Sequence, residues 1–240
     1  MDYLFILSVG LVAGTLSGIV GFGSSIMLMP ILVLTYGPRQ AVPIMAIAAV
    51  IGNVSRVVAW RNEIDWRACA AYSATGIPSA ALGAGTLLAL PSRIVEGALG
   101  AFFIAMIPAR RYLVAHGWKL RIGHMALAGL VIGFLTGIAV STGPISAPVF
   151  LMYGLVKGAF IGTEAASSLA IYLSKAIVFR TLGALPYSLV LKGLIVGASL
   201  MAGAFIAKRF VIRLGPEPFR GLIDAMLLGA GVFMLGTALS

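Results

Sequence analysis

Two short stretches set hydroxyl side chains directly beside glycine within apolar surroundings: Gly21-Phe22-Gly23-Ser24-Ser25 and Val140-Ser141-Thr142-Gly143-Pro144. Glycine opens backbone conformations closed to other residues and lets a ligand approach closely. Ser and Thr are favoured helix N-caps, and Pro is favoured at the first helical position. Each stretch therefore predicts a broken helix and a new start, at about Pro144 in the second and about Ser25 or Ile26 in the first. A helix start presents unpaired N–H groups and roughly half a positive charge. The hydroxyls of Ser24, Ser25, Ser141 and Thr142 can rotate to donate to oxygen acceptors, and Gly21, Gly23 and Gly143 allow close contact. The chemistry this suits is non-covalent capture of a small anion rich in oxygen acceptors.

Other polar residues inside the apolar segments extend the candidate site. Arg56 and Lys175 stand at matching positions, each preceded by Ser and followed by an aromatic residue and an Arg. Ionisable groups within a span are costly and often functional. Each could guard one mouth of a pathway, or snorkel to the interface along its long stem. Asn53, Ser167 and Ser168 fall nearer mid-span, where they line a cavity or bond neighbouring helices. Glu164 is the carboxylate placed to couple proton movement to transport.

The elements that position these residues come in two copies. Gly10, Gly14, Ser17 and Gly18 fall on Gly129, Gly133, Thr136 and Gly137, at a constant offset of 119 residues. After a one-residue loss Pro30 falls on Pro148; further on, Ser55-Arg56 meets Ser174-Lys175 and Trp60-Arg61 meets Phe179-Arg180. The glycines at four-residue spacing also mark close helix packing. Two similar halves, each opening with a glycine-interrupted apolar segment, outline a secondary transporter.

Composition agrees with a membrane chain: 60% hydrophobic, 10% charged, mean hydropathy +1.07. We read one integral membrane domain over 1–240, with repeats at about 1–115 and 120–240. The first segment lacks a basic leader and carries the repeat glycines, so it is kept as mature structure. The formal net charge of +10 fits Lys- and Arg-rich cytoplasmic loops better than nucleic-acid binding, and a basic field also attracts anions. A single cysteine, Cys69, excludes an internal disulfide, and His116 and His124 lie away from paired carboxylates. No cofactor or metal is expected, and no nucleophile and base pair as an enzyme requires. An anion channel and a non-transporting scaffold remain as alternatives. The expected partners are a small anionic substrate and the lipid bilayer, with a homodimer compatible.

Ten apolar segments are expected, at about 3–20, 25–36, 41–60, 68–90, 94–113, 122–140, 144–156, 160–180, 187–207 and 219–239. All are helical, because open strands leave backbone groups unsatisfied in lipid. The second and seventh are too short to span comfortably. If each follows its predecessor as a re-entrant hairpin, eleven Lys and Arg, among them Arg61, Arg67, Lys119, Arg121 and Lys157, share one face. Arg39, Arg93, Arg180 and Lys192 hold the other. If each broken segment crosses once, the split is eight against seven. The positive-inside rule favours the hairpins, with about eight spans, inverted halves and both termini outside.

The motif Gly14, Ser17, Gly18, Gly21, Gly23, Pro30, repeated as Gly133, Thr136, Gly137, Gly143, Pro148, resembles the sulfite exporter TauE/SafE family. Gly76-Ile77-Pro78 and the small-residue run to Gly85 extend the likeness. The resemblance implies a seven- or eight-span protein of the bacterial inner membrane that exports sulfite, sulfoacetate or related organosulfonates. Many members carry three successive glycines at each break; here Gly23-Ser24-Ser25 and Ser141-Thr142-Gly143 add hydroxyl donors instead.

Overall fold

The computed structural model describes residues 2–20, 24–116, 119–138, 142–210, 228–229, 232 and 236. It is helical throughout these residues: α1 (Asp2–Val20), α2 (Ser24–Tyr36), α3 (Pro38–Trp60), α4 (Trp66–Ala89), α5 (Ser92–His116), α6 (Ile122–Ile138), α7 (Gly143–Met152), α8 (Lys157–Thr181) and α9 (Tyr187–Phe210). These match the first nine expected segments. The tenth, 219–239, falls largely outside the described residues. So do Gly21, Gly23 and Ser141 of the two breaks.

Helix ends follow local chemistry. Pro38 and Pro144 sit in the first turns of α3 and α7, where a missing N–H costs nothing. Asp65 caps α4 by accepting the Arg67 and Ala68 N–H groups at 3.0 Å each. The Asp65 N–H in turn donates to Thr163 Oγ1 at 2.9 Å, tying this turn to α8.

Packing crosses between the halves. α4 lies along α6, α1 along α9, and α3 along α8. By the 119-residue offset α6 repeats α1, and α8 repeats α3. Two pairs depend on glycine. A Cβ on Gly133 would lie 2.6 Å from the Gly76 carbonyl oxygen, and one on Gly14 would collide with the Leu200 backbone. Equivalent glycines thus hold α6 to α4 and α1 to α9 at backbone contact. In both pairs contacts advance together along the chain: Gly129 meets Tyr72 and Gly133 meets Gly76, while Gly10 meets Ser199 and Gly14 meets Leu200. Both pairs are therefore parallel. α3 and α8 run antiparallel: Gly158 and Gly162 abut Trp60, and Arg56 meets Glu164 further up.

The buried core is apolar around this central pair, with Leu28, Leu32, Ile44, Met45, Phe179 and Leu200 in one cluster. A second cluster includes Tyr72, Ile132 and Phe150; the Tyr72 and Phe150 rings sit 5.0 Å apart. The outer faces are apolar too: Leu82, Leu127, Ile177 and Leu191 are exposed. Helices apolar on both faces suit lipid rather than water. Two of them, at Arg39–Trp60 and Tyr187–Ile206, are long and apolar enough to cross a bilayer by length and composition. α8 is long enough but carries Lys157, Glu164, Lys175 and Arg180.

Candidate functional site

Polar side chains gather where α3, α8 and the starts of α2 and α7 meet. On α3, Ala49, Gly52, Asn53 and Arg56 form a stripe at helical spacing. On α8, Glu164, Ser168, Ile171 and Tyr172 form its counterpart, and Ala49, Gly52 and Asn53 are the repeat positions of the last three. Ser24 and Ser25 of α2 and Thr142 and Gly143 of α7 face the same cavity, with Ser17 of α1 and Thr136 of α6. The cavity measures ≈ 40 Å³, room for roughly three waters. Tyr72, Leu200, Gly14 and Ala204 also line it.

An ion pair between the halves anchors the site. Arg56 Nη1 donates to Glu164 Oε2 at 3.0 Å, with the two side chains 10% and 4% exposed. Arg56 Nη2 donates to Asn53 Oδ1. Glu164 Oε1 accepts from Ser168 Oγ at 2.8 Å and, at 3.4 Å, from Ser146 Oγ, which shares its proton with the Gly143 carbonyl at 3.2 Å. Buried charges persist when paired and further hydrogen-bonded, and both conditions hold here. Tyr172 hydrogen-bonds the Ser25 side chain, bringing α8 against the start of α2.

The start of α7 works differently from a simple hydroxyl cap. Thr142 occupies the N-cap position, but its side chain makes no capping bond. Thr136 Oγ1 donates to the Ile132 carbonyl at 2.7 Å. Its 2.5 Å bond with Thr142 Oγ1 therefore takes the Thr142 proton. Pro144 has no N–H, and Ile145 and Ser146 N–H groups turn to the Thr142 carbonyl at 2.9 and 2.8 Å. This end thus offers few backbone donors, and the donor chemistry of the cavity shifts to hydroxyls, Asn53 and Arg56.

Of the residues singled out in sequence, the cavity unites Ser24, Ser25, Asn53, Arg56, Thr142, Gly143, Glu164 and Ser168. Ser167 is buried but bonds its own helix, at the Thr163 carbonyl, 2.8 Å. Arg56 and Lys175 do not snorkel; both are buried. Lys175 does not itself line the cavity but backs one of the residues that do. Its Nζ donates to the Thr136 carbonyl at 2.7 Å, among the α6 C-terminal carbonyls that lack a partner within the helix, and lies 5.5 Å from the Phe179 ring centre. A cation there also complements the negative end of the α6 dipole.

Sequence reasoning passed over Tyr72 and Tyr172, which gave no signal among other apolar and aromatic residues. Ser17 and Thr136 did carry one: a hydroxyl at the same repeat position in both halves. Among the described residues no three His, Cys, Asp or Glu side chains converge as a metal site would need.

No solved structure matches this chain. A curated relative, "Probable membrane transporter protein YjnA" of Bacillus subtilis (strain 168), is 25% identical over 253 residues, covering 96% of this chain and 98% of the relative. The profile of the family "Sulfite exporter TauE/SafE" matches residues 6–234. A match over nearly the whole chain, both repeats included, makes this protein a member of the sulfite exporter TauE/SafE family, and a membrane transporter.

Proposed function

We propose that the protein carries a small sulfur-containing oxyanion, sulfite or an organosulfonate, across the bacterial inner membrane. The observation that carries this reading is the convergence of side-chain hydroxyls, Asn53 and a buried arginine on one small cavity. A guanidinium matches the planar array of oxyanion oxygens and can bind two of them at once. Hydroxyls of Ser24 and Ser25 add adjustable donors. A cavity of ≈ 40 Å³ suits a ligand of a few heavy atoms rather than a nucleotide.

The chain then forms one integral membrane domain of about eight spans, built from two inverted halves. The antiparallel run of α3 against its repeat α8 supports the inversion, since halves with an even number of crossings would set those two helices parallel. Access alternates as one half moves against the other about the shared cavity. The basic face lies in the cytoplasm, where it concentrates anions for export.

Thermal-shift screening of the purified protein against sulfite, sulfate, thiosulfate, sulfoacetate and taurine tests the reading. A specific ligand raises the melting temperature by mass action. Sulfite or sulfoacetate is expected to stabilise most, the zwitterion taurine least, and Arg56→Gln to abolish the shift. Equal shifts with all five, or shifts retained in Arg56→Gln, would remove this cavity as the site.

A further inference from the structure

A carboxylate inside an anion site is a contradiction unless it has a task. Resting on the anion-transporter reading above, we propose that the substrate binds together with a proton: it takes Arg56 over from Glu164, and Glu164 leaves the pair as the neutral acid.

Charge balance carries the first step. Among the described residues that line the cavity, the ionised groups are Arg56 and Glu164. They cancel. An anion added to that pair leaves a net negative charge in a buried space, which a low-dielectric site resists. Arg56 and Asn53 approach from α3, Ser146 from α7, Ser168 from α8. The nearby titratable groups are Tyr72 on α4 and Tyr172 on α8, and neither supplies positive charge. Lys175 is absent from the lining: its Nζ is held by the backbone carbonyl of Thr136, behind the cavity wall, where its charge is matched by the carbonyls without intrahelical partners at the α6 C-terminus. A proton on Glu164 is the compensation this geometry leaves.

Competition carries the second. Carboxylate and sulfonate oxygens use the same guanidinium N–H groups, so Glu164 already occupies the place of a substrate oxyanion. Once displaced, the neutral acid keeps partners. The Ser146 and Ser168 hydroxyls that donate to Oε1 can rotate to accept its O–H. The proton comes from the aqueous phase that delivers the anion and stays on the carboxyl oxygen. No bond to substrate forms.

The pair also joins α3 to its repeat α8. Its opening only in the loaded state ties movement of the halves to the presence of both anion and proton. A monoanion would then cross without net charge.

Calorimetric titration of the purified full-length protein with methanesulfonate, a monoanion, tests this. Titrations run in two buffers of different protonation enthalpy, between about pH 6 and 8, where the sulfonate stays ionised and carries one charge. The expected result is uptake of about one proton per anion, with affinity rising about tenfold for each unit fall in pH. Glu164→Gln is expected to bind without proton uptake and with affinity flat in pH. Binding to the wild type without proton uptake overturns the proposal and leaves the anion site standing. Proton uptake that persists in Glu164→Gln overturns its assignment to Glu164. Absence of methanesulfonate binding to either protein overturns the proposal and the transporter reading together. Should the Gln variant not fold, Glu164→Asp, which keeps an acid, must retain the proton uptake; its loss there overturns nothing less than the proposal.

Discussion

Arg56 and Glu164 sit in different halves, 108 positions apart, and bond at 3.0 Å within the buried interior. Removing one member of such a pair strands the other, which typically costs about 3–5 kcal/mol. Replacing both by apolar residues of similar volume is often neutral. Arg56→Met alone is therefore expected to lower stability by about 3–5 kcal/mol, and Arg56→Met with Glu164→Met by clearly less than the summed singles. Thermal or denaturant unfolding in detergent gives both values, and strict additivity would mean the pair does not couple. Lys175 makes a different prediction. Lys175→Met leaves the Thr136 carbonyl without its donor, at a cost of about 1–3 kcal/mol. Because Lys175 does not line the cavity, that loss of stability should exceed its effect on sulfite affinity, the reverse of Ser25→Ala. Residue types alone could not separate these two cations. They occupy equivalent positions in sequence, and only the packing of α6 and α8 shows that one faces the cavity and the other a helix end.

At the scale of elements, close approach rather than hydrophobic volume sets the packing. Without a hydrophobic drive between helices in lipid, small residues that admit backbone contact hold them together. Gly133→Val should separate α6 from α4 and sharply reduce monodisperse protein on size exclusion, as should Gly14→Val for α1 and α9. Gly85, also on α4, meets nothing within 4 Å of an added Cβ. Gly85→Ala should be neutral or stabilising by up to about 1 kcal/mol, through helix propensity. A loss of stability there as large as at Gly133 would discard the contact argument. Much of this level was legible beforehand. Apolar length placed nine helices within a few residues, because each backbone must satisfy itself and Pro, Gly and Asp punctuate the ends. The limits lay in local geometry. Segment 144–156 ends early, at Met152, where Gly154 takes a φ of 105°. The Thr142 hydroxyl, read as a cap, instead bonds Thr136, a contact between α6 and α7 that periodicity does not reveal.

The whole molecule poses the question of sidedness, which the antiparallel α3 and α8 make testable. The turn at 61–65 and the start of α8 at Lys157 share one end of the bundle, since Trp60 abuts Gly158. The turns at 37 and 182–186 share the opposite end. Cations distribute in keeping: Arg61, Arg67 and Lys157 at the first end, Arg39, Arg180 and Lys192 near the second. If the first end is cytoplasmic, as the topology proposed above from the positive-inside rule has it, single cysteines on a Cys69→Ala background should label in two groups. Asn62→Cys and Gly154→Cys should react with a membrane-impermeant maleimide only in inside-out vesicles. Gln40→Cys and Gly183→Cys should react in intact spheroplasts. Asn62 and Gly183 are the sharper pair, because they lie in the equivalent α3–α4 and α8–α9 turns of the two repeats. Labelling of both from the same side would make the halves parallel, against the observed run of α3 and α8. Labelling of both groups from the opposite sides to those expected would keep the inversion and place the basic face outside, where it would gather anions for uptake instead of export.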